Sequence, residues 1–161
     1  MIDRHNGTMW SSDDLYFMRL ALDEADLAAL KDEVPIGAIL VVEGQVVGRG
    51  HNSPVSLNDP SAHAEIQALR DASGYLRNYR LGGATLYVTL EPCLMCFGAL
   101  IHASVARVIY GASDPKVGVS RLLPALESAR LNHAIEFQGG LLEPDCRAQL
   151  QVFFKAKRAQ S

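Results

Sequence analysis

Two short stretches of the chain gather the side chains that can do chemistry: His63-Ala64-Glu65 and Glu91-Pro92-Cys93-Leu94-Met95-Cys96. Cysteines three apart lie one turn apart on a single helix face. Pro92 just before them suits a helix start, where its missing N–H costs nothing. Both sulfurs then sit at the positive end of that helix, which favours the thiolate, the form that binds metal. By itself the pair fits a redox couple, half of a structural zinc site, two ligands of a working metal site, or ordinary packing. A structural zinc needs four protein ligands, and the sequence offers no second CxxC or His pair. Cys146, the third cysteine, reads as a fourth ligand or, as a lone cysteine more often does, as core packing.

His63 and Glu65, two apart, do not share a face of a regular helix, so both reach one point only beyond the helix's first turn. One His with two Cys supplies three protein ligands and leaves the fourth position to water, the arrangement of a catalytic zinc. Glu65 then stands beside that water as a proton-carrying carboxylate rather than as a ligand. Read singly, His63 is a loop or cap histidine and Glu65 a solvent-facing helix acid. His51, His102 and His133 are isolated, and none is assigned to a metal; His102 ends a helix, where a histidine meets the negative dipole end favourably.

The elements that must position these groups follow from the local pattern. Ser11 with Asp14 three residues on approximates a capping box, and the acids suit the positive end of a helix in which Leu15, Met18, Leu22 and Ala25 recur at helical spacing. IGAILVV and QVVGRG flank Glu43-Gly44 as the strands of a hairpin, and NSPVSLNDPS reads as a loop. AHAEIQALRDAS is helical and is expected to stop before Gly74. ATLYVTL is a buried strand, CLMCFGALIHAS the cysteine-bearing helix, RVIYG another strand and GASDPKVGVSR a loop. A short helix near 121–129, a weak strand at HAIEFQG and a final helix from about Asp145 complete the chain. Strands alternating with helices argue an α/β sheet covered on both faces.

The chain's 161 residues suit one domain over residues 1–161, large enough to bury roughly two-thirds of its unfolded surface, so no staple is needed to hold it folded. With 48% apolar and 20% charged residues the composition is globular. No apolar run approaches the roughly 18 residues of a membrane span, and MIDRHNGTMW lacks the basic start and apolar core of a signal peptide. The expected location is the cytoplasm, with no membrane partner and with reduced thiols. The net charge of −3 hides an uneven distribution: eight acids against three bases before residue 34, ten against twelve after it. The remainder can therefore present a basic face. Near its end, Phe153, Phe154, Lys155, Lys157 and Arg158 form either a stacking and phosphate-binding surface or helix-end core aromatics with a solvated basic tail.

H-x-E followed by P-C-x-x-C is the signature of zinc deaminases. Within that superfamily of cytidine/deoxycytidylate deaminase-like enzymes the sequence resembles the bacterial tRNA-specific adenosine deaminase family. The resemblance rests on EVPIGAILV at 33–41, DPSAHAEIQALR at 59–70 and NYRLGGATLYVTLEPCLMC at 78–96. It continues through GALIH at 98–102, RVIYGASDPK at 107–116 and a closing NH…E…G…C…FF pattern. The chain departs from the family's usual pattern at Ser104-Val105 and across Val117-Gly118-Val119-Ser120-Arg121, and the family is commonly basic.

The resemblance implies a three-layer α/β/α cytidine-deaminase-like fold with a central mixed sheet of about five strands. It implies one Zn2+ per subunit on His63, Cys93 and Cys96, with Glu65 shuttling protons while adenosine becomes inosine at the wobble position of a tRNA anticodon loop. Asn52 would hydrogen-bond the target nucleoside, and the main chain at Ala64 and Cys93 would help to hold the base. Glu33, Val34 and Pro35 would line the pocket, and Asp114 and Lys116 would contact flanking nucleotides. The partners implied are the anticodon stem-loop and a second copy of the chain, a homodimer whose sites the neighbouring subunit completes. Two other readings stand beside this one: a free nucleobase or nucleoside deaminase acting on guanine or cytosine with the same zinc core, and a zinc-binding interaction module without activity. Glu65 argues against the module, since a structural site has no use for a carboxylate beside an open ligand position.

Overall fold

The computed structural model describes residues 3–5 and 8–161. A small antiparallel ribbon, β1 (Asp3–His5) with β2 (Thr8–Trp10), leads into α1 (Ser12–Leu30). The expected capping box starts α1: Asp14 N–H donates to Ser11 Oγ at 3.0 Å, and Ser11 N–H donates to Asp14 Oδ2 at 3.2 Å. β3 (Gly37–Val42) and β4 (Gln45–His51) then form the expected hairpin. Its turn residues Glu43 and Gly44 have φ of 50° and 76°, the doubly left-handed pair that matches the strands' twist.

Between β4 and the central strand β5 (Thr85–Leu90) lie α2 (Pro54–Leu57) and α3 (Ala64–Leu76). After β5 come α4 (Leu94–His102), β6 (Arg107–Ala112), a 3-10 turn at Val119–Arg121, α5 (Leu123–Ser128), β7 (Glu136–Gly139) and α6 (Glu143–Gln160). The sheet order is β4-β3-β5-β6-β7, antiparallel through β5 and parallel beyond it. This is a five-stranded mixed sheet. Side chains alternate across it: Ala38, Leu40, Leu86 and Val88 pack with Ala64, Ala68 and Leu100 of α3 and α4, while Ile39, Val41, Tyr87 and Ile109 pack with Met18 of α1 and Cys146 of α6. Three layers result, as expected.

The sequence reading gave no β1–β2 ribbon and began the last strand at His133 rather than Glu136, and the structure departs from it in three further stretches. α3 does not stop before Gly74; that residue is exposed within it, and the helix closes at Arg77 in the left-handed conformation, φ 53°. A lone exposed glycine costs about 1 kcal/mol in a helix, too little to end one whose other face is packed. The stretch 52–61 contains α2, closed by Asn58 at φ 49°. The stretch 111–121 carries the 3-10 turn.

Two glycines decide where α3 sits. Cβ atoms added at Gly48 and Gly50 would overlap the main-chain carbonyls of Ala68 and Ala64. Bare backbone on β4 lets the alanine face of α3 lie directly on the sheet, which fixes the position of the helix start.

Candidate active site

α3 and α4 begin at the same place. His63 is the N-cap of α3; Cys93 is the N-cap of α4, with Cys96 buried one turn on. His63 Nδ1 lies 3.7 Å from Cys93 Sγ and 3.6 Å from Cys96 Sγ, and the three donor atoms lie within 4.8 Å of one another. A tetrahedral zinc with bonds of about 2.3 Å to sulfur and 2.0–2.1 Å to nitrogen sets N···S edges of about 3.6 Å. The donor set thus fits zinc in both type and spacing. Among the described residues it is the one such cluster of three.

The other candidates lie elsewhere. Cys146 is buried on the opposite face of the sheet, packed so tightly on Gly111 that a Cβ there would overlap its sulfur. Burial pushes its thiol up to about 12. His51 Nδ1 meets Glu24 Oε2 at 3.0 Å, and His133 Nε2 donates to the Val105 carbonyl at 2.7 Å.

The electrostatics follow from burial and the two helix starts. Hydrogen bonding from Cys96, opposed by burial and aided by His63, brings Cys93 down to about 5, and the same coupling pushes Cys96 up. A helix N-terminus carries partial positive charge, so both helices favour anions here. Glu65, in the first turn of α3, is only 4% exposed. Burial pushes its carboxyl up to about 7, where it can both take and give a proton.

A cleft of about 100 Å3 opens beside these groups, lined by His63, Glu65 and Cys93 together with Ile36, Asn52, Leu90, Glu91, Asp114 and Val117. It shares Ile36, Asn52, Leu90 and Asp114 with a groove of about 410 Å3 that adds Val34, Ser113, Pro115, Lys116, Leu150 and Phe154. Asn52 is buried and oriented: its Oδ1 accepts from the Ala64 N–H at 3.3 Å, leaving the side-chain NH2 as the donating end. Asp114 Oδ1 accepts from the Lys116 and Val117 N–H groups, so part of this carboxylate braces its own turn.

The remaining expected residues sit apart from the cleft wall. The Glu33 carboxylate is buried and caps α2, accepting from the Val55 N–H at 3.1 Å, the Ser56 N–H at 2.9 Å and Ser56 Oγ at 2.8 Å. Burial would raise its pKa, but these bonds hold it below the ordinary carboxylate value. Pro35 lines a different groove, with Leu22 and Ala29 of α1 and Phe153 of α6. Lys157 pairs with Asp32 and lies 5.6 Å from the Phe153 ring, tying α6 to the end of α1. Phe154, Lys155 and Arg158 are exposed. One residue that the sequence reading gives no role is Glu91, whose buried carboxylate accepts two loop N–H groups. The signal for it was an acid at the end of an otherwise apolar strand.

Comparison with known proteins agrees with this geometry. The model of the MafB19-like deaminase family matches residues 12–158. The tRNA-specific adenosine deaminase of Bacillus subtilis strain 168 is 45% identical over 149 residues, covering 92% of either chain. A structure solved in studies of A-to-I editing by tRNA deaminases at the wobble position superposes with a TM-score of 0.80 at 46% identity, over 84% of this chain and 99% of that one. The guanine deaminase of Nitrosomonas europaea is more distant, at 25% identity and a TM-score of 0.75 over 86% and 83% of the two chains.

Proposed function

The chain belongs to the tRNA-specific adenosine deaminases, and from that premise we propose that it hydrolyses the wobble adenosine of a tRNA anticodon loop to inosine and ammonia. The observation that carries this reading is the meeting of a buried carboxyl, raised to about 7, with a His-Cys-Cys donor set at one cleft. His63, Cys93 and Cys96 would hold zinc. When bound there, zinc supplies the Lewis acidity that makes water a nucleophile near neutral pH.

The chain's own groups handle binding and protons. The NH2 of Asn52, set by the bond from Ala64, donates to the nucleoside. Glu65 takes one proton from the attacking water and passes it to N1 of the adenine as C6 becomes tetrahedral, then takes the second proton from the new C6 hydroxyl and delivers it to the departing amine as the C–N bond breaks and the carbonyl forms. One carboxylate serves both transfers because it gives up each proton it takes and ends the cycle as it began. A base inside a stack cannot bring C6 to this point, so the substrate must splay its base out, which an RNA loop does at low cost. The groove with Lys116 and Phe154 would take the flanking nucleotides.

A homodimer accords with Leu94 and Met95, which are 52% and 41% exposed beside the two cysteines, where a second copy could cover them and wall the site. Among the described residues no helix is long and apolar enough to cross a membrane. We place the enzyme in the cytoplasm with its tRNA, as a single domain over residues 1–161. Free guanine is the weaker alternative, since the guanine deaminase is the more distant relative. Incubating the zinc-loaded protein separately with an anticodon stem-loop, adenosine, guanine and cytosine, with products identified by mass, tests the reading. Inosine in the stem-loop supports it; turnover of guanine or cytosine with the stem-loop unchanged overturns it.

A further inference from the structure

The loop after β6 forms one wall of the cleft through Asp114 and Val117, and of the adjoining groove through Lys116. It has no strand or helix of its own from Ser113 to Pro115, so its height above the site needs an external support. Glu91 supplies one. At 4% exposure its carboxylate accepts from the Asp114 N–H through Oε2 at 2.9 Å and from the Ser120 N–H through Oε1 at 3.2 Å. One side chain therefore holds both ends of the loop. Its own N–H donates to the Ala112 carbonyl at 2.9 Å, which fixes the base of the support.

Gly118 completes the arrangement. A Cβ there would overlap the Glu91 carboxylate and the Asp114 carbonyl, although its φ of −62° suits any residue, so glycine is required here for space and not for backbone freedom. Gly118 bridges to Cys93, and the Val119 N–H donates to the Pro92 carbonyl at 3.0 Å. The loop is thus seated on the same turn that carries the metal-binding cysteines.

We propose that Glu91 is a positioning residue that sets the Asp114–Val117 loop over the cleft, so that the segment bearing Lys116 is in register with the nucleotides flanking the target base. The kinetic consequence rests on the RNA reading above; the support itself does not. An ionised carboxylate is acceptor-only, and both of its oxygens face N–H donors. In Glu91→Gln the shape is kept, but whichever way the amide is turned one loop N–H meets an NH2 group. Glu91→Asp keeps the charge but is one methylene shorter, too short to hold both ends.

The experiment uses zinc-loaded full-length protein. Hydrogen exchange should rise about tenfold or more, the effect of losing one hydrogen bond to a charged group, at one of the Asp114 and Ser120 amides in Glu91→Gln and at both in Gly118→Ala. Exchange in α3 and α4 and the zinc content should stay as they are. KM for an anticodon stem-loop should rise about tenfold with a smaller change in kcat, because binding register rather than proton transfer is lost. Gly118→Ala added to Glu91→Ala should cost less than the sum of the two single losses, since the carboxylate overlap is relieved while that with the Asp114 carbonyl remains. Unchanged exchange at the two amides, or additive losses in the double variant, overturns the support. Raised exchange with an unchanged KM and kcat overturns its link to RNA. If the wild-type protein leaves the stem-loop unreacted, the substrate reading fails while the exchange result still decides the support.

Discussion

The Tyr87 hydroxyl donates a 2.8 Å hydrogen bond to Asp14 Oδ1, joining the central strand to the first turn of α1 on the sheet face opposite the metal donors. Arg107 Nη1 donates to the same oxygen at 3.1 Å. Burial alone would raise the Asp14 pKa, but the bonds from Tyr87, the Ser11 N–H and Arg107 bring it below the ordinary value. The unfolded chain then binds the proton more readily than the folded one. The stabilisation is complete above the unfolded pKa, about 4, and is lost as pH falls through the lower folded value. Asp14→Asn should cost about 2 kcal/mol at pH 7. Urea melts should show the gap to wild type closing as pH drops below 4 and unchanged between pH 6 and 8. A gap independent of pH would show that the charge is not what matters.

Gly50→Ala tests the seating of α3. The added Cβ must push away the Ala64 carbonyl, directly beside His63 and Glu65. Overpacking of this kind costs about 1–3 kcal/mol. The variant should melt earlier and bind zinc more weakly in competition with a chelator, whereas Gly74→Ala, in open space on the exposed side of the same helix, should be neutral or stabilising.

How far the sequence carried the structure depended on the range of each interaction. Ser11 with Asp14 and Glu43 with Gly44 are local signals, and the start of α1 and the β3–β4 hairpin follow from them. The donor set was legible because His63, Cys93 and Cys96 have few other reasons to occur at that spacing. The helix α2 was not legible, because its cap is Glu33, twenty-two residues away in sequence from Val55. Glu91 escaped for the same reason, since its partners Asp114 and Ser120 are brought to it only by the β5-β6 pairing. The C-terminal FFKAKR run left two readings open; Phe153 and Lys157 lie against the end of α1, as packing residues do, while Phe154, Lys155 and Arg158 are exposed.

That division gives a prediction about charge. Lys116→Glu should weaken stem-loop binding and flatten its salt dependence by roughly one phosphate's share, about 0.7–0.9 in log–log slope. Lys157→Glu places an acid opposite Asp32 and should lower the melting temperature as well. Filter binding at several salt concentrations alongside thermal melts separates the two. Equal melting losses in both variants would remove the distinction.

Ligand and proton carrier should also separate. Cys93→Ala and Cys96→Ala should each lose zinc and activity. Glu65→Ala should keep one zinc per chain while kcat falls by about 10²–10⁴. Elemental analysis decides; loss of zinc in Glu65→Ala would make it a ligand instead.

The most direct measurement is to map the product within a whole tRNA that carries an unmodified wobble adenosine, by digesting the RNA after reaction with the zinc-loaded protein and weighing each fragment. A single adenosine-to-inosine change is expected, at the wobble position, absent with Glu65→Ala and faster than conversion of free adenosine. Inosine scattered over other loop positions, or an unaltered tRNA beside rapid turnover of free guanine, would contradict it.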